Sequence, residues 1–142
     1  MKPLFSLILF LALTLSACSP ASGTLDVTDA WARPMPQGQN SAAYFVIENG
    51  TGSDDTLLSA STDIAETAET HMSMMDTNGV MSMQMQEAVS VTAGQKVEFK
   101  PGGLHIMLFN LKEELTPGDT FSLTLNFKQA GSIVVDVQVK QP

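Results

Sequence analysis

Two short stretches hold most of the residues in this chain that could do chemistry. The first, HMSMMDTNGVMSMQM (His71 to Met85), contains six of the nine methionines and one of the two histidines. The second, LHIMLF (Leu104 to Phe109), places the other histidine, His105, two residues before Met107. Thioethers favour Cu(I) and imidazole is compatible with it, whereas Ca²⁺ and Mg²⁺ take oxygen ligands. Methionine has no proton to lose and cannot form a disulfide, so a Met/His set suits a metal that is held loosely and passed on. The structural alternative is methionine as a flexible gap-filler beside hydrogen-bonded or surface histidines. Residue types alone leave both readings open. They do exclude hydrolytic sites: no Ser–His–Asp arrangement, histidine-paired cysteine or zinc-type spacing is present.

The elements that must position these residues read as strands. In PGGLHIMLFNL, alternation sends Leu104, Ile106 and Leu108 to one face and His105, Met107 and Phe109 to the other. TNG is a hairpin signal, with Gly79 supplying positive φ for a type I turn plus bulge. A three-residue loop, Thr77 to Gly79, pairs Asp76 with Val80. His71, Met75, Met81, Met83 and Met85 then share one face, and Met72 and Met74 the other. A loop of two or four residues breaks that arrangement, so the constellation depends on register.

Elsewhere, AAYFVIEN (Ala42 to Asn49) is a β-prone run closed by the turn signal NGTGSDD. FSLTLNF and SIVVDVQVK alternate cleanly and predict a hairpin with one buried and one wet face. TAGQ, KPGG and TPGD mark turns between further apolar runs. STDIAETAET has helix-compatible composition, with a turn or strand edge as the alternatives. Many short strands with regular turns predict an all-β antiparallel sandwich.

The chain opens MKPLFSLILFLALTLSACSP, one lysine before an apolar run too short to span a bilayer. That is the pattern of a secretory signal peptide. LSAC resembles a bacterial lipobox, which implies removal of residues 1–17 and lipidation of Cys18. An uncleaved anchor, or plain secretion with an incidental cysteine, is the alternative. By the sorting rule such lipoproteins follow, Ser19 favours the outer membrane. Residues 18–24 then read as a flexible tether and 25–142 as a single domain. With Cys18 acylated no thiol remains. The formal charge of −8 becomes one unit more negative when Lys2 is lost, which argues against nucleic acid and suits attraction of cations.

The two chemical stretches together resemble the PCu(A)C family of periplasmic copper chaperones, whose signature is H-(M)-x10-M-x21-H-x-M. Met83, twenty-one intervening residues and His105-Ile106-Met107 reproduce its second part, and His71-Met72 its first. DAWARPMPQGQNSAAYFVIEN and PGGLHIMLFNLKEELTPGD extend the resemblance over nearly all of the mature chain. Eleven residues rather than ten separate His71 from Met83, which implies one extra residue in the DTNG turn. The resemblance implies a cupredoxin-like Greek-key sandwich that binds one Cu(I) per domain through His71, Met83, His105 and Met107. Met72, Met81 and Met85 are the auxiliary candidates, and Cu(II) is a secondary expectation. It further implies a monomeric chaperone, not an enzyme, supplying the Cu(A) centre of cytochrome c oxidase or another copper chaperone. A blue-copper electron carrier is excluded because its site needs a cysteine thiolate. Two rivals remain: a copper buffer or resistance protein without a dedicated recipient, and a structural envelope lipoprotein with incidental methionines.

Overall fold

The computed structural model describes residues 22–141, so the leader and Cys18 lie outside the described residues. Ten strands follow in order: β1 (Ser22–Ala32), β2 (Ser41–Thr51), β3 (Asp55–Ser61), β4 (Ala65–Met75), β5 (Met81–Met85), β6 (Val89–Val91), β7 (Lys96–Phe99), β8 (Leu104–Leu111), β9 (Thr120–Phe127) and β10 (Gly131–Val139). No helix occurs among the described residues. The expected turns are where the Gly and Pro signals put them. Gln95, Gly103 and Asp119 each donate an N–H to the carbonyl three residues back, closing TAGQ, KPGG and TPGD.

The strands form one hydrogen-bonded ladder in the order β5-β4-β8-β7-β2-β1-β10-β9-β3-β6, with β8 also pairing to β2. β3 and β4 lie near opposite ends of that ladder yet pack against each other, so the sheet is folded over into two facing layers. One core fills the space between them. Phe45 and Ile47 of β2, Ile106 and Leu108 of β8, Leu57 of β3 and Leu123 and Leu125 of β9 are its innermost side chains. At about 25 cal/mol per Å² of apolar surface removed from water, this core supplies the main folding drive. The result is the expected cupredoxin-like β-sandwich.

Three expectations need correction. The sheet is not wholly antiparallel: β1 pairs with β10 in parallel, and β7 touches β8 in parallel. First and last strands run side by side because the whole domain, not a hairpin, connects them. The tether ends before residue 22, because β1 already pairs Ser22 with Thr51. Glycines permit this: a Cβ on Gly23 would overlap the Gly50 carbonyl. NGTGSDD is not all turn, since β2 runs through Asn49 to Thr51. The buried Asn49 amide donates to the Ser53 and Val91 carbonyls, which fixes the strand end. For STDIAETAET the turn and strand readings hold rather than the helical one: it spans the end of β3, a short turn and the first half of β4.

Candidate metal centre

β4 and β5 pair in the register that a three-residue loop requires: His71 opposite Met85, Ser73 opposite Met83, Met75 opposite Met81. Three features of the turn set it. Gly79 sits at φ 81°, Asp76 donates its N–H to the Val80 carbonyl, and Asp76 Oδ1 accepts from Asn78 and Val80. Ser73 to Ser82 are ten residues between Met72 and Met83, so the loop carries no residue beyond the signature's spacing, and the extra residue expected in DTNG is absent. β4 pairs on its other side with β8, placing His71 opposite His105 and Glu69 opposite Met107. One sheet face thus carries Glu69, His71, Ser73, Met75, Met81, Met83, Met85, His105 and Met107.

The two imidazoles are held in defined tautomers. His105 is 3% exposed, and its Nδ1 lies 3.0 Å from the Gly103 carbonyl. A carbonyl only accepts, so Nδ1 carries the proton and Nε2 presents a lone pair. That Nε2 is buried and has no hydrogen-bond partner. His71 is the mirror case: Nε2 donates to Glu69 Oε2 at 3.0 Å, leaving Nδ1 buried and unpartnered. A buried polar atom without a partner is costly unless something coordinates it. Histidine ligands characteristically donate their other ring N–H to a carboxylate or carbonyl, as both do here. The ring centroids are 6.0 Å apart, and His71 also packs 5.8 Å from Phe109.

His105, Met107, Met83, Met81 and Ser73 line one side of a cavity of about 330 Å³. Arg33, Met35 and Asn40 from the β1–β2 connection and Ser41, Ala42 and Tyr44 from β2 complete the lining; Ala42 pairs with Met107, so β2 continues the same sheet face. No carboxylate lines the cavity, and Arg33 is its one charged residue. Such a wall offers nothing to a hard dication. Among the described residues no group of three or more His, Cys, Asp or Glu could hold a metal either. Tyr44 adds no anion: burial raises its pKa, only partly offset by Arg33, whose guanidinium lies 5.6 Å from its ring. What remains is a neutral soft donor set of two imidazole nitrogens and nearby thioethers.

The structure does not treat all the candidate residues alike. His105, Met107 and Met83 meet at the cavity, and the auxiliary candidate Met81 joins them. His71 is not part of the lining; it stands against His105 and Phe109, with its free nitrogen buried. Met85, although opposite His71, lines a separate groove with Leu58, Ala68 and Thr70. Met72 belongs to the other face of β4, between Gln84 and Leu104. Sequence reasoning missed Arg33, Tyr44 and Met35. Tyr44 sits in a strand stretch buried on both faces, where alternation carries no signal. Glu69 was findable: it lies two residues before His71, hence on the same strand face.

Solved structures share this fold. An apo PCuAC domain from PmoF1 superposes with a TM-score of 0.69 at 26% identity, covering 84% of this chain and 96% of that one. The Cu(I) form of DR1885 from Deinococcus radiodurans gives 0.61 at 27% identity, covering 84% and 81%. In sequence, the chain is 32% identical over 124 residues to "Uncharacterized protein RP573" of Rickettsia prowazekii, covering 84% of this chain and 68% of that protein. It is also 32% identical over 117 residues to "Putative lipoprotein Lxx21020" of Leifsonia xyli subsp. xyli, covering 82% and 69%. The family described as "Putative lipoprotein LpqE-like" matches residues 25–139, from the first buried leucine of β1 to the end of β10. With the PCuAC fold and both histidine–methionine segments in place, the chain belongs to that LpqE-like, PCuAC-type family.

Proposed function

We propose that this protein is an envelope copper chaperone that binds one Cu(I) through His71 Nδ1, His105 Nε2 and the sulfurs of Met83 and Met107. The observation that carries the reading is a pair of buried, partnerless imidazole nitrogens on neighbouring rings, His105 lining a cavity with thioethers and no carboxylate and His71 standing against it. The Cu(I) form of its structural neighbour DR1885 supports the same cargo. Imidazole would also accept Cu(II), but the thioethers favour Cu(I).

The geometry suits transfer rather than storage. His105 is buried, whereas Met83 is 59% exposed on the edge strand β5. Cu(I) would be gripped from within by His105 and Met107 and presented outward at Met83. An acceptor ligand would displace that neutral thioether first, with no proton to remove. The recipient we propose is the Cu(A) centre of cytochrome c oxidase, through its copper-accepting subunit or another chaperone. We place the protein, as a monomer, on a lipid anchor at Cys18, facing the periplasm from the outer membrane. The lipoprotein family and the Leifsonia relative support an anchored envelope protein.

Competition with a Cu(I) chelator on wild type, His105→Ala and Met83→Leu tests the site. The expected result is tight binding of one Cu(I) at the site in wild type and at least a tenfold loss in each variant; equal affinity in all three would sink the assignment. Copper transfer to apo-oxidase separates chaperone from buffer. A chaperone loads the oxidase faster than free Cu(I) does, and a buffer loads it more slowly.

A further inference from the structure

The proposed centre leaves the outer half of the β4–β5 hairpin unexplained. Met75 is 68% exposed and Met81 52%, so neither fills the core. They stand directly opposite each other. Asp76 donates its backbone N–H to the Val80 carbonyl and Gln86 its own to the Thr70 carbonyl, so the intervening odd pairs, Met75 with Met81 among them, are non-hydrogen-bonded. Side chains in such pairs come closest, with Cβ atoms about 4.5–5.5 Å apart. Each methionine has three rotatable side-chain bonds, enough for two sulfurs to close on one ion. The next pair along the same face is Ser73 with Met83. Both Met81 and Met83 line the cavity beside His105. Met75, Met81 and Met83 therefore follow one another along one face, and the last two share the cavity with the buried imidazole.

We infer that Met75 and Met81 form a second, weaker Cu(I) station on the exposed hairpin, which exchanges its ion with the histidine centre by way of Met83. This rests on the copper reading of that centre. The station has two neutral sulfur donors and no histidine, so it holds copper less tightly than the buried site and is open to an incoming carrier. Met83, exposed and between the two, is the ligand both positions can reach. The transfer is a ligand exchange on Cu(I): one thioether bond forms as another breaks, and no electron or proton moves.

Stoichiometry under anaerobic, reducing conditions tests the inference, read by native mass spectrometry and chelator competition. Wild type should take up two Cu(I), one tight and one weak. Met75→Leu/Met81→Leu should lose the weak one, and Met75→Leu alone, at a position outside the cavity, should lose it while the tight one keeps its wild-type affinity, since Leu for Met conserves volume and Met75 is exposed. His105→Ala should do the reverse. Saturation of both wild type and the double variant at one Cu(I), with equal loading rates, would overturn the station. These methionines would then be an apolar contact face. A wild type whose second equivalent resists the double substitution would overturn it as well. Loss of copper in the double variant alone, with His105→Ala unaffected, would instead remove the histidine centre and leave the station standing.

Discussion

In the β9–β10 hairpin, Phe121, Leu123, Leu125 and Phe127 are all buried, and Val137 and Val139 meet them from the neighbouring strand. In the β4–β5 hairpin, Met81, Met83 and Met85 occupy the equivalent alternate positions of β5, and each is more than half exposed. Both have a period of two and a fixed register. The first commits its apolar face to folding, and the second keeps its face at the sheet edge, where side chains are free to move. Their turns differ in the same way. Asp76 is exposed and ties only its own loop. Asp55 is buried on β3 and reaches across to accept N–H bonds from Gln129 and Ala130 at the β9–β10 turn. Stability and chemistry are thus carried by separate hairpins, and substitutions in one should leave the other's property intact.

The largest effect should come from breaking the buried hairpin. Leu125→Ala removes a side chain with no solvent exposure and should cost about 2–5 kcal/mol in chemical denaturation. Copper affinity of the folded fraction should stay at the wild-type value. Asp55→Ala removes a buried carboxylate and leaves the Gln129 and Ala130 N–H groups without their partner, and should cost about 1–3 kcal/mol. Its acid dependence has a definite sign. Burial raises the Asp55 pKa, but the N–H groups of Gln129, Thr56, Ala130 and Lys128 outweigh it, so the folded value lies below the ordinary 3.8. The stabilisation is complete above that ordinary value and disappears as pH falls through the lower folded one. Below about pH 4, therefore, wild type should lose stability more steeply than Asp55→Asn; parallel acid titrations of the two would remove Asp55 from the account.

Effects on the exposed hairpin should appear in metal binding. Glu69→Ala frees the His71 Nε2 proton from its carboxylate and should weaken Cu(I) about 10–100-fold, or about 1.4–2.7 kcal/mol. Chelator competition reads this directly, and an unchanged affinity would mean that Glu69 does not position the ring. The smallest change sharpens the contrast most. Met83→Leu should alter folding stability by less than about 0.5 kcal/mol, in the range of ordinary surface substitutions, while copper binding falls. A large loss of stability would show that β5 contributes to the core after all.

How far these regions were legible follows from the same physics. Alternation and Gly/Pro punctuation announced β9, β10, the turns and the β8 face, because one side of each strand is wet. The hairpin register was legible because Asp76-Thr77-Asn78-Gly79 supports one loop type, and that register placed His71 and Met83 on one face. The rest of the cavity's lining was not legible. Arg33 and Met35 arrive from the β1–β2 connection and Tyr44 from β2, which reaches β8 only through long-range pairing. Nor does register show which methionine turns inward: Met85 faces His71 by pairing, yet its side chain lines a different groove. The parallel β1–β10 pair was equally hidden, since no local signal marks an association of the chain's two ends.

Copper K-edge X-ray absorption on protein loaded with less than one equivalent of Cu(I) tests the central claim most directly. The account predicts a mixed first shell of two imidazole nitrogens and two thioether sulfurs. His105→Ala should lose one nitrogen, and Met83→Leu one sulfur. A shell of sulfur alone, unchanged by His71→Ala and His105→Ala, would contradict it.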